Sequence, residues 1–217
     1  MKLEFNIDEE SVPWPVGMQF VGQYAGTNFY CFDIMSRIFK DYPDVKSIVE
    51  LGTFYGTMTM YLGLWGLRLG IPVHTFDIEP NNSAPVHHVL ETLGVQMHWV
   101  DVFTEEGIRE VLDAIGPEPG YMFCDGGDKQ REFETFAPVV PTGQVISVHD
   151  WGTEVKSLDG GILRLNYHPE DWTRRDSMLA TVIKLGDGAK ALENATDAEL
   201  ADIRRKWIEV LGEKTRA

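Results

Sequence analysis

Apolar positions recur along this chain with two alternating periods, one of helix and one of strand. From Thr27 to Phe39 they fall at helical spacing, and Asp41-Tyr42-Pro43 ends the run. Residues 45–51 (VKSIVEL) are a short apolar run of strand length, and the glycine turn after them leads into a helix from about Gly56 to Leu69. Gly70 and Pro72 punctuate, and 72–78 (PVHTFDI) predicts a second strand. Residues 81–94 predict a helix with Asn82 or Ser83 as its N-cap and Gly94 just past its end. A third strand is predicted at 95–103. Thr104–Ile115 follows as a helix with Glu105 and Glu106 at its positive end. A fourth strand lies in 119–127, a helix in 128–140, and a fifth strand in 143–152. Residues 158–176 read as loop or short helix, 178–186 as a late strand, and 196–212 as a capped C-terminal helix.

Strands alternating with helices at roughly 25-residue spacing predict an α/β fold: a Rossmann-like, doubly wound, mostly parallel sheet with helices on both faces. No internal repeat or linker composition divides the 217 residues, so a single domain spanning 1–217 is expected. Acidic residues number 34 against 19 basic ones, a formal net charge of -15. A surface that acidic repels phosphate backbones and argues against a nucleic-acid partner. The densest basic stretch, Arg204–Trp207, shares its helix with acids and reads as a solvated face. Cys31 and Cys124 lie in apolar company without a CxxC or CxxH neighbour, as buried thiols do in a reducing compartment. The acidic N-terminus is no signal peptide, and no run approaches the ~20 apolar residues of a membrane span. A soluble, cytoplasmic protein is expected.

Ligands of open parallel sheets bind beyond the carboxyl ends of the strands, and the acidic residues collect there. The five strands end at Glu50, Asp77, Asp101, Asp125 and His149-Asp150, which predicts a crevice rimmed by carboxylates. At the first of these ends stands VELGTFYGTMT, in which Gly52 permits a tight turn and Gly56 a close approach to the helix start. Backbone N–H groups there favour an anion. The pattern is E-x-G-x-x-x-G, not the G-x-G-x-x-G of dinucleotide sites, and Glu50 would repel a pyrophosphate. A ligand carrying cations beside its carboxylate suits it better, and S-adenosylmethionine (SAM) carries an ammonium, a sulfonium and a carboxylate.

On these residues the sequence resembles the class I SAM-dependent methyltransferases. VELGTFYGTMT looks like their first motif and TFDIEP like their second, acid-ended strand. The segment YMFCDGGDKQREFETFAPVVPTGQVISVHDW is similar to the subgroup of catechol-type, sugar and macrolide O-methyltransferases and cephalosporin-hydroxylase-like proteins. The likeness spans roughly residues 28–150. It implies that Glu50, Gly52 and Gly56 line the methionine part of SAM and that Asp77 holds the ribose. Asp101 and Val102 would border the adenine, with Tyr55 shielding the cofactor and Asp125 beside it. Residues 1–27 and 151–176 would build the pocket for a small-molecule acceptor: a sugar, polyketide or phenol hydroxyl. Trp14, Trp151 and Trp172 are candidate walls. Dimers are common among such enzymes.

The resemblance also implies a divalent ion, Mg²⁺ by its hard oxygen donors, on Asp125 and Asp150. Two departures stand out: Asp128 occupies a place where macrolide-type relatives carry histidine, and His149 one where they carry an acid. His149 is then a general base or a metal ligand. Lys129 is the other candidate base, with Asp128 the third candidate catalytic residue. His87 and His88 read as helix surface and partial core, and His74, His98 and His168 as histidines without obvious partners. Two other classes remain in play: a non-catalytic binding protein on a cofactor fold, and a nicotinamide-dependent oxidoreductase, which the missing glycine triplet disfavours.

Overall fold

A computed structural model of the chain describes residues 19–20, 23–24, 29–151, 153–158, 162–165 and 179–184. A short antiparallel pair comes first, β1 (Gln19–Phe20) with β2 (Gln23–Tyr24). Then α1 (Phe29–Asp41), β3 (Ile48–Leu51), α2 (Thr57–Leu69), β4 (Val73–Asp77), α3 (Ala84–Thr92), β5 (Val95–Trp99), α4 (Glu105–Ile115), β6 (Tyr121–Cys124), α5 (Lys129–Phe136) and β7 (Val145–Val148) alternate. Two more strands close the order, β8 (Ile162–Leu165) and β9 (Ala180–Lys184).

Seven strands form one sheet in the order β5-β4-β3-β6-β7-β9-β8. The first five are parallel, β9 runs antiparallel to β7, and β8 runs antiparallel to β9. The chain winds outward from β3 through β4 to β5, then returns to start β6 on the other side of β3. The switch in direction therefore falls between β3 and β6, where such sheets open a crevice. The predicted parallel sheet is observed. The expectation of loop or short helix across 158–176 is corrected at Ile162–Leu165, which pairs as an edge strand with β9. The predicted helix at 196–212 lies outside the described residues.

Two cores follow from strand alternation, because successive side chains point to opposite faces. On one face Ile48, Tyr121, Phe123 and Val145 meet Ile34, Met35, Ile38 and Phe39 of α1 and Met60 and Leu62 of α2. On the other, Val49, Leu51, Met122, Cys124, Ile146 and Val148 meet Val111 and Ile115 of α4 and Phe133 and Phe136 of α5. Both cysteines are buried and neither is in a disulfide, as expected. Among the described residues no helix is long and apolar enough to cross a membrane.

His74 and His98 are not partnerless. Their rings stack, with His74 Nδ1 3.1 Å from His98 Nε2, and His98 Nδ1 lies 3.3 Å from Glu110 Oε2. Burial of His74 and the neighbouring His98 push its pKa down to about 4. His87 and His88 sit on α3, one half-buried and one exposed, as expected.

Candidate functional site

Gly52 and Gly56 frame the junction of β3 and α2, each with a positive φ, 99° and 79°. A Cβ on Gly52 would stand 2.5 Å from the Asp125 carbonyl oxygen, so only glycine lets the loops after β3 and β6 touch across the switch point. Gly56 clears room for a neighbouring helix rather than a ligand: a Cβ there would meet Val86 and Leu90 of α3. Gly56 also brings no side chain to cap α2, whose N-terminal end faces the crevice.

The crevice is a cavity of about 350 Å³. The loop from Gly52 to Met58 forms one wall, Asp77 and Asn81 a second, and Asp125–Gly127, Lys129, His149 and Asp150 a third. Asp77 Oδ2 accepts the N–H of Phe54 at 2.8 Å, and its Oδ1 accepts that of Ile78 at 2.7 Å. Those bonds anchor Phe54 in the left-handed region (φ 46°), with its ring and that of Tyr55 in contact and largely exposed over the cavity.

At the other wall, His149 Nδ1 lies 3.0 Å from Asp125 Oδ1 and 3.5 Å from Asp150 Oδ2. Burial opposes charge on the imidazole, but the two carboxylates outweigh it and hold the pKa well above the ordinary histidine range. Lys129 Nζ stands 3.0 Å from Asp150 Oδ2, 3.0 Å from Glu154 Oε2 and 3.9 Å from Asp125 Oδ1, and donates to the Gly126 carbonyl. Burial works to lower its pKa, and Glu154 with the two aspartates raises it further than burial lowers it. Burial would raise Asp150, yet His149 and Lys129 bring it down to about 2. Asp150 itself takes a left-handed backbone (φ 57°), and its carbonyl accepts the N–H groups of Thr153 and Glu154. That turn presents Glu154 to Lys129.

Asp125, His149 and Asp150 each offer a ligand atom, all within 4.8 Å of one another. Two hard oxygens and an imidazole fit a divalent ion of the Mg²⁺ or Mn²⁺ kind.

Of the residues singled out by sequence, Gly52, Tyr55, Gly56, Asp77, Asp125, Lys129, His149 and Asp150 come together around this cavity. Four do not. Glu50 lies on the α1–α2 face of β3, fully buried, where Thr59 and Thr75 donate to its Oε2 at 2.5 and 2.7 Å. Its Oε1 has no hydrogen-bond partner among the described residues, and burial pushes its pKa up to about 8. Glu50 thus underlies the loop instead of lining the cavity. Asp101 accepts the N–H of Phe103 in an exposed turn, and Val102 packs against the α4–α5 core. Asp128 spends its carboxylate as the N-cap of α5, accepting from Arg131.

Sequence reasoning missed Glu154, Asn81 and Glu132. Glu132 is buried beneath Gly126, whose N–H points to its Oε2 at 3.3 Å, and burial raises its pKa to about 7. Its signal was available: Lys129, Glu132, Phe133 and Phe136 share the buried face of α5, and charges on such a stripe need partners. Glu154 had none, because a tertiary turn places it. Trp14 and Trp172 lie outside the described residues, while Trp151 packs half-buried against the α4–α5 core.

No protein-family model matches the chain, and no curated protein matches it. Solved structures do. A CmcI structure named for SAH matches at 11% identity over 77% of this chain and 81% of that one, with a TM-score of 0.53. A CmcI structure named for Mg-SAM matches at 14% identity and a TM-score of 0.51, over 61% of this chain; the match spans little more than half, 57%, of that chain. The O-methyltransferase TomG from Streptomyces achromogenes, in complex with SAM, is similar at 14% identity over 70% of this chain and 79% of that one, with a TM-score of 0.49. The fold of this chain is the Rossmann-like α/β fold that the two CmcI structures share, as its sequence pattern predicts.

Proposed function

We propose that this chain is a SAM-dependent methyltransferase acting on an oxygen of a small molecule. One observation carries the reading: at the switch point, the uncapped start of α2, the Asp77 carboxylate and the Asp125–His149–Asp150 cluster all face one cavity. The two CmcI structures that share the fold are named for SAM and SAH, and one of them for Mg as well, which supports the same ligands here.

In this reading the amino-acid end of SAM meets the Gly52–Gly56 loop, its carboxylate drawn to the N–H end of α2. Asp77 accepts the ribose hydroxyls on the lone pairs left after Phe54 and Ile78 are served. Phe54 and Tyr55 cover the cofactor. Transfer is an in-line displacement: the acceptor oxygen bonds to the methyl carbon as the carbon–sulfur bond breaks, and the sulfonium becomes a neutral thioether. The leaving group is already activated, so alignment is the chief demand.

The acceptor then lies against the third wall. His149 and Lys129, both held protonated by their carboxylates, stabilise negative charge growing on the acceptor oxygen. In that state neither takes a proton, and Asp150, held at about 2 by His149 and Lys129, is too weak a base to keep one, so the hydroxyl hydrogen leaves past the Asp125 carboxylate to solvent. Asp125 and Asp150 would hold the divalent ion, with His149 joining them only once the ion has displaced its proton, and the ion when bound lowers the pKa of an acceptor hydroxyl. The acidic balance of the chain disfavours a nucleic-acid acceptor.

Titration calorimetry with S-adenosylhomocysteine (SAH) tests the reading. Micromolar binding with a rise in melting temperature is expected. No heat and no thermal shift with either SAM or SAH would remove it.

A further inference from the structure

We propose that Lys129 is a built-in competitor for the divalent ion, and that Glu154 sets the balance by holding the ammonium aside when the ion binds. The inference rests on reading the cavity as a methyltransferase site. The ammonium stands 3.0 Å from Asp150 Oδ2 and 3.9 Å from Asp125 Oδ1, the two carboxylates that an ion would use. An ion such as Mg²⁺ bonds carboxylate oxygens directly, at about 2.1 Å. An ion on Asp150 would therefore share that carboxylate with a buried like charge whose side chain is only 9% exposed.

The structure also supplies the ammonium with somewhere to stay. Glu154 Oε2 and the Gly126 carbonyl each lie 3.0 Å from Nζ, and neither residue belongs to the candidate ligand set. With the ion out, Lys129 screens Asp125 and Asp150 from each other; with the ion in, it keeps Glu154 and Gly126. The left-handed turn at Asp150 couples the two arrangements, because its carbonyl fixes the backbone N–H of Glu154 at 3.0 Å. One turn presents a ligand of the ion and the retreat of its competitor.

The experiment uses the full chain and Mn²⁺ alone, with free Mn²⁺ read by electron paramagnetic resonance at fixed pH and ionic strength. Lys129→Met should bind Mn²⁺ roughly tenfold or more tightly than wild type. Glu154→Gln should bind it about threefold or more weakly, the scale of a half-exposed pair. In the Lys129→Met background, Glu154→Gln should change little, because Glu154 acts through the lysine. Asp150→Asn should lose the site. Circular dichroism checks each fold, and Lys129→Gln substitutes should Lys129→Met not fold. Unchanged or weaker Mn²⁺ affinity on loss of the lysine overturns the proposal. So does a full Glu154→Gln effect without the lysine, since Glu154 would then be a ligand, and so does the absence of Mn²⁺ binding to every variant. SAH calorimetry on the same proteins separates these failures from failure of the methyltransferase reading.

Discussion

Replacing Glu50 by glutamine should flatten the pH dependence of stability. Glu50 is fully buried, and burial raises its pKa from 4.5 to about 8. An acid whose folded pKa is raised keeps its proton in the native state after the unfolded chain has released it. Its contribution is therefore favourable at low pH and is lost as the pH climbs through the window from 4.5 to 8. Between pH 5 and pH 8 this one group withdraws about 3 to 4 kcal/mol, at about 1.4 kcal/mol per pH unit. Glutamine keeps the shape and can still accept from Thr59 and Thr75, but it does not ionise. It adds a second N–H where Glu50 Oε1 has no partner among the described residues, so at pH 5 the variant should be less stable by about 1–3 kcal/mol. By pH 8 the order should reverse. Urea unfolding of both proteins at unit intervals from pH 5 to pH 8 measures the difference, in which other titrating groups cancel. A difference that stays constant across that range would refute the reasoning and mean that Glu50 is ionised throughout.

Three further outcomes are expected. Asp77→Ala should weaken SAH binding by about 1–3 kcal/mol, the worth of charged hydrogen bonds; calorimetry giving unaltered affinity would separate Asp77 from the ribose. Gly52→Ala should destabilise the fold by roughly 2 kcal/mol or more in urea, because its methyl meets the Asp125 carbonyl and its φ of 99° suits only glycine. Excess chelator should abolish turnover and leave SAH affinity nearly unchanged, whereas full activity in chelator would mean that Lys129 and His149 suffice without an ion.

The alternation of strand and helix was legible because the central strands β3, β6 and β7 are buried on both faces and read as short, mostly apolar runs. Boundaries contracted in a consistent way: the run 45–51 yields only Ile48–Leu51 as strand, and 143–152 only Val145–Val148. The polar residues at the ends of such runs belong to the loops. The edge strand Ile162–Leu165 was not legible, since three apolar residues interrupted by Arg164 lack the length or alternation that would separate them from loop.

Glu50 shows why five acidic strand ends do not make five ligands. Position along a strand says how far a residue lies from the crevice, but parity says which face it occupies. Glu50 shares parity with Ile48 and so points into the core beneath α2, while Leu51 and Val49 point to the other side. Asp125 and Asp150 escape this rule by standing one and two residues past their strands, where the backbone has turned, with Asp150 in a left-handed conformation. Reading distance past the last paired residue would have kept Asp125 and Asp150 and set Glu50 aside, whereas Asp77 shares the face of Thr75 and Glu50 and reaches the cavity because it is the last residue of β4. Such a reading would still have left out Glu154. That carboxylate reaches Lys129 across 25 residues, through a turn that the Asp150 carbonyl helps to organise. The ion-pair balance of the site therefore depends on tertiary geometry that no spacing in the sequence encodes, and divalent-ion affinity is the property most exposed to it.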